Sequence, residues 1–83
     1  DSGMRAIEQA AKEDKHLFVL FYKEKNERTN QAEKVFDEFQ KSSGEKAKFI
    51  KINSTNPVEK PILEKFNLNR SPMPFLLVLA PNG

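Results

Sequence analysis

The chain of 83 residues contains no cysteine, which excludes disulfides, thiolate metal sites and thiol catalysis within it. It has no tryptophan and a single histidine, His16. No His, Asp or Glu stands at ligand spacing from that imidazole, so neither a metal nor another cofactor is expected. No apolar run approaches the roughly 18 residues of a membrane helix, and no basic stretch leads into an apolar one as in a signal peptide. Charge of one sign is not concentrated anywhere. The 14 Lys and Arg and 12 Asp and Glu residues are interspersed, with a net charge of +2. No block of cations is available to lie along phosphates, so neither nucleic acid nor membrane is an expected partner. Repeats, low-complexity tracts and internal linkers are also missing. None of these absences fixes a compartment.

What is present is clustered. Hydrophobic residues make up 37% of the chain, seven of them Phe, and they gather into short runs, which indicates a folded domain over 1–83. A chain this short buries only about two-thirds of its unfolded surface. Residues 1–14 carry Ser2 as a cap and Met4, Ile7, Ala10 and Ala11 on one face, the pattern of a short amphipathic helix. Leu17 to Tyr22 is continuously apolar and rich in aromatic and β-branched types, the mark of a central strand buried on both faces. A polar loop, Lys23 to Asn30, follows. Thr29 or Asn30 is the expected cap of a helix running to about Ser42, with Ala32, Val35, Phe36 and Phe39 inward and Ser43-Gly44 as its stop. Ala47 to Asn53 reads as a shorter strand, and 53–56 as a capping loop with Pro57 at the first helical position. Pro61 interrupts the next helix, 57–66, so a 3₁₀-like first turn with a restart at Pro61 is expected, with an αL-tolerant Asn after its end. Phe75 to Leu79, entered through Pro72-Met73-Pro74 and left through Pro81-Asn82-Gly83, is a buried strand, and a proline directly before it is a candidate cis peptide.

The order helix, strand, helix, strand, helix, strand gives an α/β domain. Strands sharing one sheet imply two right-handed parallel crossovers, with an antiparallel last strand as the alternative. The expected core is Phe18, Leu20, Phe36, Phe39, Phe49, Ile52, Leu63, Phe66, Leu76 and Val78.

Taken together, Ala6-Ile7-Glu8-Gln9-Ala10-Ala11-Lys12, Leu17 to Tyr22, Phe49-Ile50-Lys51-Ile52-Asn53 and Met73-Pro74-Phe75 through Asn82-Gly83 resemble the thioredoxin superfamily over nearly the whole chain. The resemblance implies a three-layer α/β/α fold with a central mixed sheet and a last strand antiparallel to the first. It also implies that Met73-Pro74 matches the family's cis-proline beside the active site. The family's W-C-x-x-C motif would fall on Lys25 and Asn26-Glu27-Arg28-Thr29, with Asn26 and Thr29 in the cysteine positions, and its buried acid on Leu20. An amide and a hydroxyl form no thiolate, so thiol–disulfide exchange is chemically closed to these residues. Family members continue past the Asn-Gly turn into an edge strand and a helix, so this sequence reads as part of a longer chain. Otherwise the edge and face of the last strand are open to self-association or to a covering segment.

The candidate binding region is therefore Asn26, Glu27, Arg28 and Thr29 with Met73 and Pro74. The bend at Met73 would leave a backbone N–H and C=O for an extended peptide; its plainer reading is architectural. Arg28 could meet an anion, or simply be solvated. Thr29 at a helix start could be a nucleophile, but lacks a base within reach and reads more simply as a cap. Glu8, Glu13 and Asp14 read as surface partners of lysines. The sequence thus points to a redox-inactive protein- or peptide-binding or scaffold module. The alternative is a non-thiol transferase or glutathione-like ligand site at Asn26–Thr29.

Overall fold

The structure, a computed structural model, describes residues 2–82. Asp1 and Gly83, and with Gly83 the second half of the Asn-Gly turn, lie outside the described residues. Helix α1 spans Gly3–Lys12, strand β1 His16–Tyr22, helix α2 Glu27–Ser43 and strand β2 Ala47–Asn53. A 3₁₀ turn, Pro57–Glu59, passes into helix α3, Lys60–Lys65, and strand β3 is Phe75–Leu79. The break falls where Pro61 removes a donor from a regular helix. Ser2 caps α1 as its spacing indicates, its hydroxyl accepting from the Arg5 N–H at 3.3 Å. Gly44, at φ +60°, closes α2, and Asn67 adopts φ +58° just past α3, positive φ values that glycine and asparagine tolerate best.

The sheet order is β2-β1-β3. β1 runs parallel to β2, with His16 opposite Ala47 and Tyr22 opposite Asn53. β3 is antiparallel to β1, Leu17 facing Leu79 and Phe21 facing Phe75. Among the described residues there is therefore one parallel crossover, and the second connection returns the chain antiparallel. On one face of the sheet Leu17, Val19, Phe21 and Ile52 pack with Ala10 of α1 and with Ile62, Leu63 and the following Leu68. On the other, α2 lies over β1 and β2 and is held by phenylalanines. Phe18 stacks on Phe49 at 4.7 Å between ring centres, and Phe36 and Phe39 meet these rings edge-on at 5.4 and 5.2 Å. Aromatic pairs in such geometries contribute about 0.5–1.5 kcal/mol each beyond area burial.

The core differs from the sequence expectation in a regular way. Leu20, Phe36, Ile52 and Leu63 are buried, but Leu76 and Val78 are 46% and 48% exposed. Alternation along β3 sends Phe75, Leu77 and Leu79 toward α1 and α3, and Leu76 and Val78 to the α2 side. Helix α2 packs chiefly on β1 and β2, which leaves these two side chains largely open. Phe18, Phe49 and Phe66 are half-buried, and Phe39 is 47% exposed at the rim of the aromatic cluster. Val35 is exposed because the inward stripe of α2 runs through Thr29, Ala32 and Phe36, one position away. Leu17, Val19, Phe21, Ile62 and Leu68 take the central places instead.

One buried charge fixes the base of this core. Glu59, in the 3₁₀ turn, is 7% exposed and its Oε1 accepts the Gly3 N–H at 2.7 Å. The carboxylate thus takes up a donor at the N-terminus of α1, where the helix dipole favours negative charge. A Cβ on Gly3 would stand 2.6 Å from Ile52 Cδ1 and 2.8 Å from Ile62 Cδ1, so any side chain there displaces two core methyl groups. Glu59→Ala leaves that N–H buried and unsatisfied, and urea unfolding should show a loss of about 1–3 kcal/mol.

Candidate functional site

The loop after β1 and the start of α2 are built by an asparagine. The side chain of Asn26 accepts the Thr29 N–H at 3.0 Å, and its carbonyl accepts the Asn30 N–H at 2.9 Å. Asn26 is therefore the N-cap, and α2 begins three to four residues earlier than a Thr29 or Asn30 cap places it. The physical reason is reach. Only an acceptor placed before the first turn can meet the free N–H groups two and three residues on. Thr29 sits inside the first turn at 1% exposure. It cannot present an open nucleophile, and His16 begins β1 at the far end of a strand about 20 Å long.

Lys25 ties the same loop to the helix. Its ammonium lies 4.4 Å from the centre of the Tyr22 ring and 2.6 Å from Glu33 Oε1. Glu33 also accepts from Lys51 of β2 at 3.1 Å, and Lys51 reaches Asp37 at 3.0 Å. The chain Lys25–Glu33–Lys51–Asp37 thus links loop, helix and sheet. Hydrogen bonds from Lys25 and then Lys51 hold the Glu33 carboxyl below the usual carboxylate range. The bond to Asp37, then that to Glu33, raises Lys51 above an ordinary lysine. At the other end of the sheet Glu13 is held at about 2 by Gln9 and Lys48.

Across from Asn26, the Met73–Pro74 peptide bond is cis. β3 starts at Phe75, and among the described residues no backbone hydrogen bond takes up the N–H or C=O of Met73. An open depression of about 280 Å³ lies between the two segments, lined by Lys23, Glu24, Asn26 and Thr29 on one side and Ser71, Pro72 and Met73 on the other. Of the candidate residues, Asn26, Thr29 and Met73 are brought together there. Glu27 and Arg28, both exposed, and Pro74 do not line it. Lys23, Glu24 and Ser71 join the site without a distinguishing signal in the sequence beyond their nearness to these two segments.

A cis-proline turn facing a helix start at the end of a central strand, in a β2-β1-β3 mixed sheet, is the arrangement that the sequence resemblance implies. Residues 5–82 match the family model of the thioredoxin-like domain. The chain belongs to this family. No curated protein matches it. This thioredoxin-like domain has no cysteine at all, and the two positions that would flank its helix start are filled by a capping amide and a buried hydroxyl. Among the described residues no group of three or more His, Asp or Glu side chains is placed to hold a metal.

Two measurements check this account. Asn26→Ala removes the cap and should lower stability by about 1 kcal/mol in chemical denaturation, while Asn26→Ser retains most of it. The lowered Glu33 carboxyl stabilises the fold above its ordinary value of 4.5 and loses that contribution as pH falls through the folded value. The raised Lys51 contributes below 10.5 and loses its share as pH climbs through its own folded value. Melting temperatures recorded from pH 7 down to pH 2 should therefore fall less steeply in Glu33→Gln than in the unaltered protein.

Proposed function

We propose that this thioredoxin-like domain is a redox-inactive binding module that holds an extended segment of a partner protein in the depression between Asn26 and Met73. The observation that carries the reading is the pair of unclaimed backbone groups at Met73. A donor and an acceptor left open at the start of a strand can add a short piece of β-ladder with an incoming peptide. Around them, Lys23 and Glu24 offer charges of both signs and Met73 an adaptable apolar surface. A polar rim over an apolar contact suits a peptide more than a compact charged metabolite. The transferase alternative has less to build on, because the Thr29 side chain is enclosed and the first free N–H groups of α2 are partly taken by Asn26.

The reading is tested by amide-shift titration of the labelled protein against a library of extended peptides, beside an insulin-reduction assay. The expected result is no reductase activity, with shifts centred on Lys23, Asn26, Thr29 and Met73. Ser71→Tyr, which fills the depression, should weaken the best peptide about tenfold. Shifts that avoid these residues, or a Ser71→Tyr variant that binds as well as the unaltered protein, would sink it.

A further inference from the structure

Met73 offers backbone to an incoming segment, and the wall that faces it across the depression is rich in hydrogen-bond donors. Helix α2, 17 residues long, begins there with Asn26 as its cap. The Asn26 side-chain oxygen is occupied by the Thr29 N–H at 3.0 Å, so the half of that amide left over is a donor. The N–H groups of Glu27 and Arg28, in the first turn, have no acceptor within the helix, and the helix dipole places partial positive charge at the same end.

Thr29 adds an independent sign. It is 1% exposed and borders the depression. Its hydroxyl makes no hydrogen bond among the described residues, although no side-chain nitrogen or oxygen sealed from solvent among them lacks one. The sliver of surface that Thr29 keeps is therefore at the hydroxyl, which looks into the depression. Enclosed polar groups are partnered as a rule, so an open one at the floor of a cleft marks the place of a ligand atom.

The charges at the rim do not decide the sign of that ligand. Lys23 and Glu24 both line the depression, Glu27 and Arg28 are exposed just outside it, and none of the four belongs to a salt bridge among the described residues. Their net charge cancels. What remains is directional, because helix end, amide and hydroxyl all present hydrogen to the same place.

We infer that the segment held at Met73 sets the carboxylate of an Asp or Glu side chain on the start of α2, where it accepts from the Thr29 hydroxyl and the Asn26 amide and pairs with Lys23. The inference rests on the function proposed above and adds the side chain that the bound segment carries. Both walls of the site, 23–29 and 71–73, lie within the described residues.

The test titrates the labelled protein with three extended Val and Thr peptides, capped at both ends and differing only in a central Glu, Gln or Lys. A fourth is the Gln peptide with a free C-terminal carboxylate. The expected result is that the Glu peptide binds about tenfold more tightly than the capped Gln peptide, that salt narrows this difference, and that Asn26 and Thr29 shift most. In Lys23→Gln and in Thr29→Val the preference for Glu should fall below about threefold. Should Thr29→Val unfold, Lys23→Gln decides alone. Equal binding of the Glu and Gln peptides at these residues, tighter binding of the Lys peptide, or a preference unaltered in Lys23→Gln overturns the inference and leaves the binding function standing. A free C-terminus that improves binding more than the central Glu overturns it as well, since the chain end then occupies the helix start. No shift at Asn26, Thr29 and Met73 with any of the peptides removes both.

Discussion

Everything in this molecule depends on β1 having two apolar faces. A seven-residue strand whose interior is continuously hydrophobic cannot lie at a surface on either side, so it demands a layer above and a layer below. Leu17, Val19 and Phe21 recruit α1 and α3, while Phe18 and Leu20 recruit α2 through a group of phenylalanine rings. The neighbouring strands then extend the sheet to each side. The ends of β1 set the places where chemistry or recognition can happen, because the loop to α2 and the turn into β3 converge at its C-terminal end.

The architecture was largely legible because each element announces its own limits. The bounds of β2 and β3, the broken start of α3 at Pro61 and the caps Ser2 and Gly44 all follow from short-range chemistry. Tertiary assignments were less legible. Leu76 and Val78 are as apolar as Leu77, and only the lateral placement of α2 decides that they are uncovered. Glu59 carries no local sign that it is buried, since its partner is a backbone N–H at the other end of the sequence. At the candidate site, the placing of Asn26, Thr29 and Met73 together follows from the resemblance, whereas the cap expected at Thr29 or Asn30 is Asn26, and the Thr29 hydroxyl is enclosed.

The loop that carries thiols in a redox-active fold has here been given over to structure. Asn26 spends its side chain on the helix start, and Lys25 is held between an aromatic ring and a carboxylate. What stands open beside it is backbone: among the described residues no backbone hydrogen bond takes up the N–H or C=O of Met73, and the side chains around it, Lys23 and Glu24 among them, carry charges of both signs.

The bond between Gly3 and Glu59 joins residues 56 positions apart, so it closes a ring that contains most of the chain. The entropy cost of closing a ring rises only with the logarithm of its length, about 0.6 kcal/mol per doubling, and here the packed core between the two segments meets that cost together with the bond. The arrangement also makes two distant segments share a fate. If the turn at 57–59 opens, the acceptor leaves the N-terminus of α1 at the same moment, and loosening at the beginning of the sequence and loosening before α3 become a single event.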